Sequence, residues 1–320
     1  MDFVKNIIGK ELSTFEKKFE DAVRSNTPML DRILKYIIKR KGKQMRPMFV
    51  FLSAKLIGEV NESTYRAAAL VELLHTATLV HDDVVDESME RRGFFSINAI
   101  WKNKIAVLVG DYLLSKGLLL STSNEDFMHL HILTDAVRQM SEGELLQIEK
   151  SRKLNLDEDV YFEIIRNKTA SLLSSACAVG AYSTGKDEKK TDLMRVFGQK
   201  VGIAFQIKDD LFDYGKEDVG KPTGNDIREK KLTLPLIYTL NNTDKDTRRK
   251  LIYMLKNENK NKESINFIIE KVIEAGGIRY AEAKMNSYRD EALEILHSFD
   301  PSPVRDALEE LVRFTTDRKY

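Results

Sequence analysis

The sequence predicts an all-α fold, a single-domain bundle of about ten or more helices around a central cavity. Only 6 prolines and 16 glycines interrupt 320 residues, and the apolar residues between them recur at spacings of three and four rather than alternating. The hydrophobic share of 42% is enough for a large core. No linker or low-complexity segment divides the chain, so we expect one domain over residues 1–320.

The helices can be placed in order from their periodicity and end signals. Apolar residues at helical spacing predict a first amphipathic helix: Phe3, Ile7, Ile8, Leu12, Phe15 and Phe19. Thr27 and Pro28 open a second helix through Ile38, and a third runs from Pro47 to Gly58. Further helices are predicted over 63–87, 104–121, 125–150, 157–183, 189–214, 234–241, 245–257, 262–275, 278–298 and 302–317. The stretch 67–80 is apolar on most faces, which places that helix at the centre of the bundle.

Charge and cysteine content exclude several classes of protein. Fifty-one basic and 50 acidic residues give a net charge of +1, so we expect no nucleic-acid partner. A single cysteine, Cys177, excludes an intrachain disulfide and a Cys-rich zinc site. The first residues lack the pattern of a secretory signal, and the uncharged stretch 169–185 is too short and too polar to span a bilayer. We expect a cytoplasmic protein without a transmembrane segment.

Two aspartate clusters share one pattern, in which a basic residue precedes two aspartates, two apolar residues and a third aspartate. The first aspartate cluster consists of Asp82, Asp83 and Asp86. The second aspartate cluster consists of Asp209, Asp210 and Asp213. On a helix the first and last members of each cluster share a face at about 5 to 6 Å, and like charges at that spacing repel. A helix that tolerates this repulsion is expected to bind a cation.

Oxygen ligands alone favour Mg²⁺, which takes one or two carboxylates and completes its shell with water and phosphate oxygens. An EF-hand is excluded because its ligands alternate in a loop around a glycine. A lone cluster of this kind could equally be a solvated helix end. Two copies on apolar helices favour the metal site.

Basic residues lie near both clusters in the sequence, and they are Lys43, Arg46, Arg91, Arg92, Lys168, Lys221 and Lys231. A charge run is usually only a solvated surface. Cations beside paired carboxylates on apolar helices instead suit a substrate whose diphosphate is bridged by metal.

Together these motifs resemble those of the (all-E) polyprenyl diphosphate synthases, the trans-prenyltransferases. The markers occur in order from Lys43 to about Pro235: Gly42-Lys43 with Arg46-Pro47, Asp82 to Asp86 with Arg91-Arg92-Gly93, Lys168-Thr169, Phe205-Gln206 to Asp213, Gly220-Lys221, and Lys231. The resemblance implies an isoprenoid synthase fold, a homodimer, and Mg²⁺-dependent condensation of isopentenyl diphosphate with an allylic diphosphate.

The resemblance also implies a role for each matched residue. Two or three Mg²⁺ ions would be held by Asp82, Asp86 and Asp209, with Asp83 and Asp213 acting through water. Arg91, Lys168 and Lys221 would donate to the leaving diphosphate, and Lys231 would contact substrate. The isopentenyl diphosphate pocket would consist of Lys43, Arg46, His75 and Arg92. Thr169 and Gln206 would flank the carbocation, and the released diphosphate would take the proton.

Several alternatives stay open. His75 on an apolar helix could be a core residue bound to backbone. A class I terpene cyclase also uses an aspartate-rich bundle but has no need of a second diphosphate pocket. A non-catalytic subunit of a heteromeric synthase typically loses aspartates, whereas all six are present here. A shorter-chain synthase, making farnesyl or geranylgeranyl diphosphate, is the alternative within the family.

Product length is predicted from the residues one turn before Asp82. Ala77 and Thr78 are small there, followed by Leu74 and Val71, whereas family members with short products tend to carry a large aromatic. An open tunnel with a floor near Leu114 or Leu118 predicts roughly six to nine isoprene units, by resemblance and helical rise. Such a product suits quinone side chains and a location at the inner face of the membrane. Close packing of two core helices would also explain the small residues.

Overall fold

The computed structural model describes residues 1–40, 42, 44–91, 93–153, 157–215 and 224–317, without the side chains of 152 and 153. These residues form an all-α bundle with one short hairpin, which confirms the predicted fold class. The elements are α1 (Asp2–Val23), α2 (Pro28–Ile38), α3 (Met45–Ile57), α4 (Glu62–Val85), β1 (Glu90–Arg91), β2 (Phe94–Phe95), α5 (Ile97–Trp101), α6 (Asn103–Thr122), α7 (Phe127–Lys153), α8 (Glu158–Ile165), a π-helical turn (Arg166–Ala170), α9 (Ser171–Gly185), α10 (Glu188–Phe212), α11 (Asn225–Arg228), α12 (Leu234–Asn241), α13 (Lys245–Asn257), α14 (Lys262–Glu274), α15 (Gly277–His297) and α16 (Pro303–Asp317).

Three local features differ from the predicted elements. The helix predicted over 157–183 is α8 and α9 joined through the π-helical turn. Between the helices predicted over 63–87 and 104–121, the chain contains the antiparallel pair β1 and β2, in which Arg91 faces Phe94. Phe3, expected on the buried face of α1, is 40% exposed, and Val4 is buried instead.

The two helices that carry the aspartate clusters each connect two hydrophobic cores. The N-terminal half of α4 belongs to the main core with α3, α9 and α10, whereas Leu73, Ala77 and Val80 pack with α2, α5 and α6. Helix α10 contributes Phe197 to the main core and Ile207 to a core formed with α8 and α12 to α15. Burial on several sides fixes the direction of both helices, so their C-terminal carboxylates are rigidly placed.

Helix α4 begins with a complete capping box. The Asn61 side chain accepts hydrogen bonds from the backbone N–H groups of Ser63 and Thr64, at 2.9 and 3.2 Å, and the Thr64 hydroxyl accepts from the Asn61 N–H at 3.3 Å. Such a cap stabilises a helix by about 1 kcal/mol.

Glycines allow the central helices to approach closely. A Cβ on Gly180 of α9 would lie 2.3 Å from the Val50 carbonyl oxygen of α3. A Cβ on Gly202 of α10 would lie 2.6 Å from the Cα of Ala170 in the π-helical turn. This second contact brings the last turns of α10 against the π-helical turn, where Lys168 and Thr169 lie.

Within the described ranges, one helix is long and apolar enough by length and composition to cross a membrane. It is α6, whose most apolar 18-residue window has a mean hydropathy of 1.4 and is one-third buried. One face of α6 packs on α4, where Ala106, Val109 and Leu113 are almost completely buried. Core helices pass the same test of length and composition.

Candidate active site

The first aspartate cluster lies at the C-terminal end of α4, and its three members differ in burial. Asp86 is exposed, Asp82 is partly buried and Asp83 is 4% exposed. The Arg91 Nε donates to Asp83 Oδ1 at 2.8 Å, and Asn98 Nδ2 donates to the Asp83 carbonyl oxygen at 3.1 Å. Asp83 therefore holds the hairpin against the end of α4, and Arg91 is engaged with it.

Asp82, which lies one turn before Asp86 on α4, has a perturbed pKa. Burial raises the pKa of Asp82 to about 6, against the lowering effect of Lys168, while Glu144 and Asp86 raise it further. Because a carboxylate in this position is costly to ionise alone, a divalent cation at Asp82 and Asp86 would favour the charged form.

The second aspartate cluster ends α10 and is more deeply buried. Asp209 is partly exposed, whereas Asp210 is 6% exposed. Asp210 accepts from the Tyr161 hydroxyl at 2.7 Å and from Gln206 Nε2 at 2.8 Å. Burial, together with the charges of Asp226 and Asp209, raises the pKa of Asp210 to about 8.

Asp213, the last member of the second cluster, caps the short helix α11. Its Oδ1 accepts from the Asn225 N–H at 2.7 Å, and both of its oxygens accept from the Asp226 N–H at 3.2 Å. Burial raises the pKa of Asp213, while these backbone donors lower it. The expected metal role of Asp213 stays a prediction, since its carboxylate already accepts hydrogen bonds from the first two N–H groups of α11.

The π-helical turn connects the two clusters. Lys168 forms an ion pair with Glu144 of α7, and its Nζ donates to Gln147 Oε1 at 3.3 Å. The Thr169 hydroxyl donates to Gln206 Oε1 at 2.8 Å. Short π-helical segments within helices are frequent at functional sites. Here the segment presents two consecutive polar side chains between the carboxylates of α4 and α10.

The predicted isopentenyl diphosphate residues are only partly described. Arg46 lies in the first turn of α3 and is partly buried, and His75 is 9% exposed on α4, two turns before Asp82. Lys43, Arg92 and Lys221 lie outside the described residues.

Lys231 interacts with Glu229, Asp226 and Asp86. It forms an ion pair with Glu229. Burial lowers the pKa of Lys231, but the hydrogen bond to Glu229 and the charges of Asp226 and Asp86 outweigh burial and raise it. The interaction with Asp86 places Lys231 near the first aspartate cluster, which fits a cation that contacts the diphosphate.

Sequence reasoning missed four residues of this region: Glu144, Gln147, Tyr161 and Asp226. Gly143 was the signal for the first two. A Cβ on Gly143 would lie 2.9 Å from the Lys168 backbone nitrogen, so a glycine in an otherwise well-formed helix marks the close approach of α7 to the π-helical turn. Nothing in the sequence alone separates Tyr161 from a core tyrosine.

The predicted chain-length residues lie on different faces of α4. Ala77 is fully buried against α6, and Leu74 is 4% exposed in the main core. Thr78 is partly exposed and lies on the Asp82 face, with its hydroxyl donating to the His75 carbonyl oxygen at 2.9 Å. Of the two floor candidates, Leu114 packs against the cores, whereas Leu118 is 47% exposed. The position of the tunnel floor stays a prediction.

The residues fit a metal that is completed by substrate. Among the described residues, no group of three or more His, Cys, Asp or Glu side chains is placed to hold an ion alone. Mg²⁺ in phosphate-transferring sites typically uses one or two carboxylates with substrate oxygens and water. Carboxylates from two helices, one of them with a raised pKa, meet that requirement.

Comparisons with known proteins agree with this arrangement. The polyprenyl synthetase family model matches residues 27–272. An all-trans-nonaprenyl-diphosphate synthase (geranyl-diphosphate specific) of Rhodobacter capsulatus is 33% identical over 324 residues, covering 99% of this chain and 99% of the relative. A heptaprenyl diphosphate synthase component 2 of Bacillus subtilis is also 33% identical, over 98% of this chain and 90% of the relative.

Relatives named for shorter products match as well, among them a geranylgeranyl diphosphate synthase of Saccharolobus solfataricus. A solved polyprenyl synthase from Caulobacter crescentus, in complex with calcium and isoprenyl diphosphate, has a TM-score of 0.92. It is 34% identical and covers 100% of this chain and 98% of its own. The aspartate clusters, the bundle that holds them and these matches over nearly the whole chain together show that the protein belongs to the polyprenyl synthetase family and is a prenyltransferase.

Proposed function

We propose that the chain is a long-chain all-trans polyprenyl diphosphate synthase, which condenses isopentenyl diphosphate stepwise onto an allylic diphosphate primer. The observation that carries this proposal is that the π-helical turn links the ends of α4 and α10. Lys168 of this turn acts electrostatically on Asp82, and Thr169 donates to Gln206, one turn before the second aspartate cluster. Small side chains one turn below Asp82, and relatives named nonaprenyl, heptaprenyl and octaprenyl diphosphate synthase, support the long product.

The mechanism assigns the allylic diphosphate to the space between the clusters. Asp82, Asp86 and Asp209 would hold Mg²⁺, which neutralises charge on the leaving diphosphate. Lys168 and Arg91 donate to the same diphosphate, so Arg91 exchanges its bond to Asp83 for substrate on binding. Lys221 and Lys231 complete this set of cations as proposed ligands.

The reaction then proceeds through a carbocation. The allylic C–O bond breaks and the electron pair leaves with the diphosphate. Thr169 and Gln206 present oxygen dipoles to the positive charge. The isopentenyl double bond, held through its diphosphate by Lys43, Arg46, His75 and Arg92, forms the new C–C bond, and the released diphosphate accepts the proton that is lost.

The assembly proposed for this enzyme is a homodimer across the outer face of α6. Four apolar side chains on that face are 41% to 61% exposed: Val107, Leu108, Leu118 and Leu119. A row of exposed apolar residues on one helix suits an interface between copies. The heteromeric alternative is favoured by the relative named component 2. We place the enzyme in the cytoplasm, at the inner face of the membrane, as one domain over residues 1–320.

Turnover by the purified chain tests the proposal. The chain is incubated with Mg²⁺, isopentenyl diphosphate and either farnesyl or geranylgeranyl diphosphate, and the product is identified by mass spectrometry. We expect roughly six to nine isoprene units. A product of three or four units would make it a shorter-chain synthase. Activity that appears only after a second protein is added would favour a heteromeric subunit.

A further inference from the structure

Asp210 has no role in the proposed metal site, yet it is the most deeply buried carboxylate of its cluster. Its two oxygens accept hydrogen bonds from different elements, one from Tyr161 of α8 and the other from Gln206 of α10. Tyr161 is 3% exposed, so this contact excludes solvent.

The hydrogen bonds form a directed chain that ends at the partly exposed Thr169. Tyr161 donates to Asp210, the Gln206 amide NH₂ donates to Asp210, and the Thr169 hydroxyl donates to the Gln206 oxygen. A threonine hydroxyl has one hydrogen and two lone pairs. Because the hydrogen is used on Gln206, only lone pairs remain for whatever else approaches Thr169.

The direction of this chain depends on Asp210. In the structure both Asp210 oxygens accept hydrogen bonds, which is the pattern of an ionised carboxylate. Against that form, a reversed Gln206 amide would place its oxygen on an Asp210 oxygen with no hydrogen between them, which leaves two buried acceptors unsatisfied. Its NH₂ group would then face Thr169, and the threonine hydrogen would turn outward. A hydrogen directed at a carbocation repels it, whereas an oxygen lone pair attracts it.

We infer that Asp210, held by Tyr161, is a positioning residue that fixes the Gln206 amide so that the Thr169 hydroxyl presents oxygen rather than hydrogen to the reacting carbocation. This inference rests on the proposed function, since it requires a cation between the clusters. It assigns Asp210 a role that does not depend on binding metal.

An isosteric pair of variants isolates this role. In Asp210→Asn the side chain keeps its oxygen towards the Tyr161 donor and turns its NH₂ group to Gln206, which reverses the amide and the Thr169 hydroxyl. The swap variant combines Gln206→Glu with Asp210→Asn, so that the carboxylate introduced at position 206 accepts from both the amide introduced at position 210 and the Thr169 hydroxyl. The original direction of the Thr169 bond is restored, with the same number of carboxylates and the same net charge.

Steady-state kinetics at a pH above about 8, where the Asp210 carboxyl is ionised, should separate these variants. We expect Asp210→Asn to lower kcat about 10²-fold, with KM for both diphosphates changed less than about threefold. The swap should recover kcat to within about tenfold of wild type, above both of its single variants. A swap as slow as Asp210→Asn would mean that the carboxylate itself is needed at position 210, and the inference would be overturned. An unchanged kcat in Asp210→Asn would overturn it too.

A binding measurement gives the same test without turnover. The probe is an ammonium analogue of the allylic substrate, and its dissociation constant is compared with that of the neutral allylic diphosphate by calorimetry. Asp210→Asn should weaken the analogue about tenfold more than the neutral ligand, and the swap should reverse this loss. Equal weakening of both ligands would contradict the inference. Wild-type turnover tests the proposed function, whereas the analogue tests Asp210, so failure of one is distinct from failure of the other.

Discussion

The first and second aspartate clusters both end long buried helices, but the fold uses their members differently. In the first, Asp86 stays exposed, and Asp83 is tied to Arg91 of the following hairpin. In the second, Asp213 is 8% exposed and accepts the N–H groups that begin α11. One sequence pattern therefore supplies both candidate metal ligands and structural acceptors, and the surrounding elements decide which carboxylates stay available.

Helices α4 and α10 also differ in the residues that lie one turn before their aspartate clusters. One turn before Asp82 lie Ala77 and Thr78, whereas the equivalent positions before Asp209 are Ala204 and Phe205. Space for a growing chain is therefore expected along α4 rather than along α10. Substitutions on and around α4 and α10 can test these differences. They concern the metal ligands, the tunnel wall, the buried carboxylates, the isopentenyl diphosphate pocket and the cap of α11.

The largest effect is expected at Asp82. Asp82→Asn should lower kcat by roughly 10³-fold or more, because the leaving diphosphate loses its metal-mediated charge neutralisation. The unfolding temperature should be kept, since the substitution relieves repulsion with Asp86. Turnover at saturating Mg²⁺ and thermal unfolding measure the two effects. Asp246→Asn on α13, whose side chain is 93% exposed, is the control. Turnover near wild type in Asp82→Asn would remove Asp82 from the metal site.

The tunnel prediction separates the two faces of α4. Thr78→Phe should shorten the product to roughly three or four units, because the ring fills space on the Asp82 face. Ala77→Phe should in addition cost about 1–3 kcal/mol of stability, because Ala77 is fully buried against α6. Mass spectrometry of products and denaturant unfolding report these effects. Val196→Phe, at a 42% exposed position on α10, adds the same ring outside the tunnel. Products of unchanged length from an active Thr78→Phe would place the ruler elsewhere.

The two carboxylates with strongly raised pKa values, Asp82 and Asp210, both predict that stability falls as pH rises. The pKa of Asp82 rises from 3.8 to about 6 in the folded chain, and that of Asp210 from 3.8 to about 8. A raised pKa means that the native state holds the proton, so this stability is complete below pH 3.8 and is lost as pH rises through the folded value. Without metal, the free energy of unfolding should therefore fall from about pH 4 to about pH 8, on the order of a few kcal/mol.

Asp210→Asn should abolish the part of this fall above about pH 6 and reduce the part below it. Asp82→Asn should only reduce the part below about pH 6, because Asp210 still contributes there. Urea unfolding in EDTA at several pH values tests both. If the free energy of unfolding of Asp210→Asn still falls unchanged from about pH 6 to about pH 8, the fall belongs to another titrating group.

The isopentenyl diphosphate pocket should respond separately from the metal site. Arg46→Ala should raise KM for isopentenyl diphosphate by a factor equivalent to about 1.5–3 kcal/mol, because one charge-assisted contact is lost. KM for the allylic primer should change little. Steady-state kinetics with each substrate varied in turn measure the difference, and Arg248→Ala on α13 serves as an arginine control. An equal rise for both substrates would contradict two separate pockets.

The smallest effect compares the last aspartates of the two clusters. Asp213→Ala should lower the free energy of unfolding by about 1–2 kcal/mol, because α11 loses its cap. Asp86→Ala should leave it within about 0.5 kcal/mol, since this exposed side chain caps none of the described helices. Urea unfolding of both variants gives the comparison. Equal losses would mean that Asp213 is no more structural than Asp86.

Much of this protein could be predicted from periodicity and motif order alone. The amino-acid sequence predicts the all-α class, most helix ranges, both aspartate clusters and the family. It can do so because helical spacing and paired carboxylates are local properties of a chain. The break at Arg166–Ala170, the short hairpin and α11 could not be predicted, since they arise where helices from distant parts of the sequence meet.

The roles within each cluster were decided by packing. Asp83, Asp210 and Asp213 look like Asp82 in sequence, but Arg91, Tyr161 and the start of α11 occupy their oxygens. Thr78 and Ala77 look interchangeable, yet one lies on the Asp82 face and the other against α6. The physical reason is the same in each case. A residue's chemical type is encoded locally, whereas its burial and hydrogen-bond partners depend on which distant elements the core brings against it.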